Sequence, residues 1–235
     1  MHRGIIFCFI LLGIALSSCN KDTPEPANQP APSSDNTYSY LALGDSYTIG
    51  ESVPATDQWG MQLADLLRKE GVEISNPVTI ARTGWTTSQL AGAIAEADLK
   101  PTFDLVSLLI GVNNQYRGQP LSTYRTEFTQ LLNTSIRLAK GDPKRVLVLS
   151  IPDWGATPFG RNQDREQIAA EIDAFNAVAK EVAQKAGVEF INITPLSRTL
   201  APDLSYIASD GLHYSGKMHR EWALLALPKA KDILK

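Results

Sequence analysis

The stretch "LALGDSYTIG", residues 41–50, ends an apolar run with a glycine, a carboxylate and a hydroxyl. A buried strand that stops at Gly44 would place Ser46 at its carboxyl end. The Gly-Asp-Ser tripeptide is also ordinary turn chemistry, because Gly adopts unusual backbone angles and Asp and Ser bind nearby backbone groups. A serine nucleophile needs a base, a group that orients the base, and donors for the oxyanion. The rest of the chain must therefore decide what Ser46 does.

Strand-like segments alternate with amphipathic helical segments over most of the chain. The predicted strands are 38–44, 74–81, 103–111, 145–152 and 188–194. The main helical patterns cover 57–71, 120–141, 164–187 and 215–235, the last with an expected bend at Pro228. The third and fourth strands are nearly continuous apolar runs, which is typical of a parallel sheet covered on both faces. The predicted fold class is α/β, a three-layer α/β/α sandwich around a central, mostly parallel, five-stranded sheet.

The N-terminus has the pattern of a secretory signal. A short positive start precedes a 12-residue apolar run, which is too short to span a bilayer. The next residues, "LSSC", resemble a bacterial lipobox, in which Cys19 becomes the lipidated first residue of the mature protein. An ordinary signal peptide with a chance cysteine is the alternative. The predicted signal peptide is therefore 1–19.

The segment 20–37 has four prolines and no large apolar residue. Such a segment cannot bury a core, and we expect an extended tether of roughly 50 Å. The folded domain is predicted to cover 38–235. This organisation would hold the domain away from a membrane surface.

Composition excludes several classes of function. The formal net charge is −3 and there is no Lys/Arg-rich run, so nucleic acid is not an expected partner. The three histidines and two cysteines form no cluster with metal-ligand spacing, and we expect neither a metal nor a cofactor. Cys8 lies in the segment predicted to be removed, so no pair remains for a disulfide. No obligate protein partner is evident.

Two glycine-containing segments follow the next predicted strands. Gly84 follows the second strand and precedes a helix, so its N–H can point into a crevice at the carboxyl ends of the strands. Gly111 ends the third strand, and Asn113 could project its amide into the same crevice, because open parallel sheets bind ligands at the carboxyl ends of their strands. Gly84 and the Asn113-Asn114 pair could also be plain turn residues.

A third segment, "SDGLHYSG" at 209–216, lies near the C-terminus. Asp210 stands three residues before His213, a spacing that puts both side chains on one side of a tight turn. The carboxylate could then hold one imidazole nitrogen while the other faces Ser46. A plain Asp-Gly turn with a surface histidine is the alternative. His219 has no partner in view and is interpreted as structural.

Together, and in this order, Gly-Asp-Ser, Gly, Gly-x-Asn and Asp-x-x-His resemble the SGNH (GDSL-type) hydrolase family, from the first strand to the C-terminus. The nucleophile-elbow pattern Gly-x-Ser-x-Gly does not occur. The resemblance implies a flavodoxin-like sheet in which Ser46 attacks an ester carbonyl. It implies that His213 acts as general base and then general acid, and that Asp210 orients it. It also implies an oxyanion hole formed by the N–H groups of Ser46 and Gly84 and the side chain of Asn113.

The sequence departs from the family pattern at two positions. The third block usually continues Gly-x-Asn-Asp, whereas Asn114 stands here and removes a negative charge. Tyr214 follows His213 in place of the common Pro, so we expect a less rigid loop. Residues after the strand ends are candidate pocket walls: Tyr47, Trp85, Asn114, Tyr116, Arg117 and Trp154.

We expect an extracytoplasmic serine esterase, anchored through Cys19 to a bacterial membrane, by preference the outer one. Short inserts leave little chain for a lid or a long acyl tunnel, which favours a small acyl group such as acetate on a carbohydrate. Two alternatives stay open. One is a lysophospholipase or thioesterase of the same fold, and the other is a non-catalytic carbohydrate-binding lipoprotein. Intact Ser46, Asp210 and His213 argue against the second alternative.

Overall fold

Five strands form one sheet at the positions of the apolar runs. The computed structural model describes residues 37–100 and 102–235, so the predicted signal peptide, Cys19 and nearly all of the tether lie outside the described residues. The strands are β1 Tyr40–Gly44, β2 Val78–Ala81, β3 Leu105–Leu109, β4 Val146–Leu149 and β5 Glu189–Ile191. Their order is β2-β1-β3-β4-β5, and all neighbours are parallel. The predicted α/β class is confirmed, and the sheet is wholly parallel.

The second strand is shorter than the predicted segment 74–81. Ile74 forms only an isolated bridge with Tyr38, and regular pairing begins at Val78. Pro77 lies between them and has no N–H to donate to a neighbouring strand, which accounts for the interruption. β2 is an edge strand and is only partly buried, whereas β1, β3 and β4 are buried throughout.

Helices connect and cover these strands. The α-helices of the described chain are α1 Ser46–Ile49, α2 Trp59–Lys69, α3 Thr87–Glu96, α4 Val112–Tyr116, α5 Leu121–Leu138, α6 Arg165–Lys185, α7 Thr194–Leu200 and α8 Gly216–Ile233. Short 3₁₀ turns lie at Ala55–Asp57, Pro143–Arg145, Trp154–Ala156, Pro158–Asn162 and Leu204–Tyr206. α8 continues as a helix through Pro228, where a bend was expected.

The strand order sets the layers. The chain moves outward from β1 in two directions, first to β2 and later to β3, β4 and β5, so right-handed crossovers place the connecting helices on opposite faces. α2 packs against α8 on one face, and α5 packs against α3 and α6 on the other. The largest fully buried side chains include Trp59, Trp222, Tyr40, Tyr124 and Phe128. The carboxyl ends of β1, β2 and β3 consequently meet at one edge, where the candidate site lies.

Candidate active site

Ser46 lies at a sharp turn from β1 into α1. A Cβ on Gly44 would stand 2.1 Å from Thr48 Oγ1 and 2.4 Å from the Leu109 carbonyl oxygen, so this position admits only glycine. Ser46 is the first residue of α1 and is 5% exposed. Its N–H belongs to the first helical turn, where backbone donors have no partner within the helix. Ser46 therefore presents its hydroxyl close to a backbone N–H that has no partner within the helix.

Asp45 stabilises this turn through its side chain. The carboxyl is completely buried, caps α1 and accepts the N–H of Tyr47 at 3.1 Å. Burial has the largest effect on the pKa of Asp45 and raises it to about 7. Hydrogen bonds from the backbone N–H groups of Tyr47 and Gly111 lower the pKa and offset part of this effect. The sequence interpretation of Asp45 as turn chemistry agrees with this capping contact.

The structure brings Asp210 and His213 together. Asp210 Oδ2 lies 2.7 Å from His213 Nδ1, and Oδ1 accepts the N–H groups of Leu212 and His213, each at 2.9 Å. Ser52, which sequence reasoning missed, donates its hydroxyl to Asp210 Oδ2 at 2.8 Å. Burial acts to raise the pKa of Asp210, but these hydrogen bonds, led by that from His213, lower it to about 2. The carboxylate is thus ionised at neutral pH and fixes the imidazole.

The His213 loop is held by several contacts, and how its rigidity compares with that of a loop with proline stays a prediction. Tyr214 is fully buried, and its hydroxyl donates to the Asp153 carbonyl at 2.6 Å. The His213 carbonyl accepts the Ala208 N–H at 2.8 Å. Tyr47 packs edge-on against the imidazole, with ring centroids 5.7 Å apart. A buried tyrosine therefore restrains the loop where relatives commonly have proline.

Gly84 lies in a tight turn after β2. The Trp85 N–H donates to the Arg82 carbonyl at 3.2 Å, and Gly84 occupies the third position with φ 83°, which favours glycine. Arg117 donates to the Gly84 carbonyl at 2.6 Å. These contacts hold the backbone of Gly84 at the edge of the cleft.

The two asparagines of "GVNN" face different surroundings. Asn113 lines the cleft, and its Nδ2 donates one hydrogen to the Trp85 carbonyl at 3.0 Å, which leaves the second hydrogen available. Asn114 is completely buried instead. Its Oδ1 accepts the Thr87 N–H at 3.1 Å, and its Nδ2 donates to Thr87 Oγ1 at 2.6 Å and to Gln119. Asn114 therefore ties α4 to the start of α3.

These segments surround a cleft of about 200 Å³. Its lining combines the polar groups of Ser46, Gly84, Asn113 and His213 with the apolar or mixed side chains of Tyr47, Thr83, Val112, Tyr116, Trp154, Phe159 and Leu212. In the described residues no hydrogen bond joins the Ser46 hydroxyl to His213. Such contacts are often long until substrate is bound.

Three candidate pocket residues lie elsewhere. Trp85, Asn114 and Arg117, which were predicted as pocket walls, are not among the residues that line the cleft. Trp85 packs partly against the core and contributes its carbonyl to Asn113. Arg117 is exposed and holds Gly84 from outside. Adjacent positions on a turn or helix point in different directions, so proximity in sequence to a strand end does not fix which side chain enters the cleft.

Sequence reasoning missed four residues of the cleft. Thr83, Val112 and Leu212 are each next to a residue that was named, and that adjacency is a usable signal. Phe159 is different, because it lies in a 3₁₀ turn after β4 that has no hydrophobic period. Its side chain is 45% exposed and packs against Trp154 at 5.9 Å between ring centroids.

His219 lies behind the cleft, not in it. It is 1% exposed, accepts the Trp59 N–H at Nδ1 over 3.2 Å, and stacks on Trp222 with centroids 4.7 Å apart. Burial, with a smaller effect of His213, lowers the pKa of His219 to about 3. His219 therefore packs in the core and accepts a backbone hydrogen bond there.

No group of three or more His, Cys, Asp or Glu side chains in the described part of the chain is placed to hold a metal ion. Over the same residues, none of the helices has the length and apolar character needed to cross a membrane.

The fold and the cleft are those of an acyl hydrolase built on a doubly wound parallel sheet. Residues 42–221 match the model of the GDSL-like Lipase/Acylhydrolase family. The chain belongs to this family, and it is a hydrolase of carboxylic esters. No curated protein matches it in sequence.

Solved structures agree in fold. The lipase/acylhydrolase from Enterococcus faecalis superposes with a TM-score of 0.67 at 19% identity, over 85% of this chain and 98% of that one. The acetylxylan esterase Axe2 from Geobacillus stearothermophilus gives 0.63 at 20% identity, over 83% and 94%. TesA gives 0.63 at 19% identity, over 83% and 99%. At these identities the likeness establishes a shared fold.

Proposed function

We propose that this protein hydrolyses esters of short acyl groups by a Ser46-His213-Asp210 mechanism. One observation carries the proposal: Ser46, Gly84, Asn113 and His213 line one cleft, and His213 is held through Nδ1 by an ionised carboxylate. A serine hydroxyl becomes an effective nucleophile when a base takes its proton, and the base works best when a third group orients it.

In the proposed reaction the Ser46 hydroxyl attacks the ester carbonyl carbon while its proton passes to His213 Nε2. The carbonyl electrons move to oxygen, and the resulting oxyanion accepts hydrogen bonds from the N–H groups of Ser46 and Gly84 and from the free hydrogen of Asn113 Nδ2. His213 then gives the proton to the departing alcohol, which leaves an acyl-enzyme. Water, deprotonated by His213, attacks the acyl carbonyl and releases the acid, and Ser46 regains its proton.

The size of the cleft supports a small acyl group. A volume of about 200 Å³ is below the usual range of pockets for drug-sized ligands, roughly 300–1,000 Å³. Val112, Trp154 and Leu212 line this cleft, and we expect added methylenes to overpack against them, which costs typically about 1–3 kcal/mol. A long open channel would instead reward each buried CH₂ with about 0.8 kcal/mol.

Exposed aromatic rings support a carbohydrate as the alcohol part. Tyr116 is 58% exposed and Phe159 is 45% exposed, and both lie at the cleft. An aromatic face offers an apolar platform next to polar groups, which suits the faces and hydroxyls of a sugar ring. The fold neighbour Axe2 is an acetylxylan esterase. We therefore favour an O-acetylated carbohydrate as substrate.

We further propose that the enzyme is extracytoplasmic and lipid-anchored at Cys19, on the strength of the lipobox-like "LSSC" and the proline-rich segment that follows. The point where the chain enters the domain is compatible with this arrangement. Tyr38 leads into the amino end of β1, whereas Ser46 follows its carboxyl end, so the chain enters the domain at the edge of the sheet opposite the cleft.

The proposed chemistry is tested with p-nitrophenyl acetate, butyrate and octanoate and with acetylated oligosaccharides, on purified 38–235. We expect kcat/KM to fall from acetyl to octanoyl. Ser46→Ala should lose nearly all activity and its labelling by a fluorophosphonate probe, while the matched control Ser122→Ala, at an exposed position on α5, keeps both. A maximum at octanoyl would favour the lysophospholipase or thioesterase alternative. Background rates on every ester would favour the non-catalytic binding protein.

The anchor is tested with the full-length chain expressed in a bacterium. Wild type should incorporate labelled fatty acid and fractionate with membranes, and Cys19→Ala should incorporate none. The control Cys8→Ala, inside the predicted signal peptide, should still be labelled. A wild-type product that is soluble and unlabelled contradicts the lipoprotein proposal.

A further inference from the structure

A second groove adjoins the catalytic cleft. It has a volume of about 360 Å³ and lies between α4 and the start of α6. Tyr116 and Trp154 line both the groove and the cleft, and their rings pack edge to face with centroids 5.4 Å apart. A molecule bound in the groove would consequently lie beside the reacting ester.

The base of the groove is a fixed chain of hydrogen bonds. The Trp154 indole donates to Gln115 Oε1 at 2.9 Å, and Gln115 Nε2 donates to Glu171 Oε2 at 2.7 Å. Gln167 Nε2 donates to Glu171 Oε1 at 2.8 Å. Gln115 is only 4% exposed, so this network is built into the fold and holds Trp154 in the wall that the two cavities share.

The upper part of the groove presents exposed amide and carboxyl groups. Gln163, Asp164 and Gln167 are all exposed there. Asp164 Oδ1 is occupied by the Gln167 N–H at 3.0 Å, which leaves Oδ2 free to accept from a ligand. Amides supply both donors and acceptors at fixed spacing, and carboxylates accept strongly from hydroxyl groups.

This chemistry selects a neutral, hydroxyl-rich ligand. Two carboxylates, Asp164 and Glu171, line the groove, and within the described residues its lining contains no lysine or arginine. An anionic ligand would meet like charge from these two carboxylates, whereas sugar hydroxyls can donate to the carboxylates and pair with the amides. Tyr116, 58% exposed, adds an aromatic face at the junction with the cleft.

We infer that this groove is a subsite for a neutral sugar unit of the substrate, next to the unit that bears the ester. The inference rests on the proposed function, because it extends an acetylated carbohydrate beyond the catalytic cleft. A glycan chain would run from the cleft over Tyr116 into the groove, where Gln163, Asp164 and Gln167 hydrogen-bond the neighbouring unit. Longer substrates should therefore be better substrates.

The test compares kcat/KM on acetylated xylo-oligosaccharides of two to six units with kcat/KM on p-nitrophenyl acetate. Wild type should gain efficiency with oligosaccharide length. The double variant Gln163→Ala/Gln167→Ala should lower the ratio of the two efficiencies by about five- to tenfold. The matched control Gln184→Ala, exposed at the far end of α6, should leave the ratio at the wild-type value. An unchanged ratio in the double variant overturns the subsite.

A binding measurement separates failure of the subsite from failure of the proposed function. Calorimetric titration uses unacetylated xylo-, cello- and mannohexaose and an oligogalacturonate of similar length. We expect wild type to bind at least one neutral hexasaccharide more tightly than the oligogalacturonate, and the double variant to lose that preference. Binding to none, or equal binding by the double variant, refutes the subsite. Activity on p-nitrophenyl acetate with none on acetylated sugars refutes the carbohydrate substrate, and the titration then judges the groove independently.

Discussion

Replacing Ser52 separates two properties that the structure joins at one position. Its hydroxyl donates to Asp210 Oδ2 at 2.8 Å, and its backbone has φ 62°, in the left-handed region. A side chain in that region costs about 1–2 kcal/mol, glycine costs little, and a β-branched residue costs most. Ser52→Ala and Ser52→Gly remove the hydroxyl, whereas Ser52→Thr keeps it and worsens the backbone strain.

The hydroxyl effect can be estimated from its surroundings. A hydrogen bond to a charged group contributes about 1.5–3 kcal/mol, but Ser52 and Asp210 are exposed and water can replace part of it. We therefore expect about 1 kcal/mol, which corresponds to a kcat about fivefold lower in the Ala and Gly variants, with KM little changed. Ser52→Thr should retain kcat near the wild-type value.

Stability should follow a different order. Ala and Gly lack the same hydrogen bond, so we expect the Gly variant to have the higher unfolding free energy of the two, by about 1 kcal/mol, and Thr to be less stable than wild type because its β-branch worsens the strain. Urea denaturation and p-nitrophenyl acetate kinetics on the same preparations give both orders. If kcat follows stability, so that Ser52→Thr falls below wild type and Ser52→Gly exceeds Ser52→Ala, Ser52 acts through the backbone alone and the reasoning about its hydroxyl is wrong.

Three further changes test the site and the core behind it. Asn113→Ala should lower kcat by about 10²–10³ with KM nearly constant, as for other single oxyanion donors; a kcat near wild type with a lower melting temperature would make Asn113 a turn residue only. His219, with its pKa lowered to about 3, stays neutral in the folded protein, while the unfolded chain takes up a proton below about pH 6.5. As pH falls from 6 to 4, the free energy of unfolding of wild type should therefore drop by about 2.5 kcal/mol relative to that of His219→Gln. The pKa of Asp45 is raised to about 7, so its pH dependence runs in the opposite direction. As pH rises from 4 to 7, the free energy of unfolding of wild type should drop by about 3 kcal/mol relative to that of Asp45→Asn. Urea titrations across pH measure both differences, and a pH-independent difference contradicts either assignment.

The sheet could be predicted because its buried strands require continuous apolar runs in the sequence. β1, β3 and β4 are covered on both faces, so nearly every residue in them must be apolar, and the runs stand out in the sequence. The positions after their carboxyl ends follow from topology. For that reason Ser46, Gly84 and Asn113 were assigned to one edge of the sheet from the sequence, and the structure places all three at one cleft.

The rest of the cleft could not be predicted because tertiary contacts determine it. Phe159 enters from a 3₁₀ turn, and Ser52 reaches Asp210 across 158 residues of sequence. Trp85 was expected as a wall, since a tryptophan next to Gly84 is a reasonable pocket residue. In the fold its carbonyl, not its ring, serves the site by holding Asn113. The hydrophobic periodicity of the sequence does not predict contacts between residues that are distant along the chain.

Asn114 shows why a departure from the family pattern need not weaken the site. The position is buried, and its neighbours require an acceptor and donors together: Oδ1 accepts the Thr87 N–H, while Nδ2 donates to Thr87 Oγ1 and Gln119. The Thr87 hydroxyl has its own hydrogen bonded to Glu127, so it can only accept from Asn114. An aspartate here could take the backbone N–H but would set a second carboxylate against that oxygen without a proton to share. With Glu127 in place, asparagine is the residue that completes the network, and it does so outside the cleft that holds Ser46.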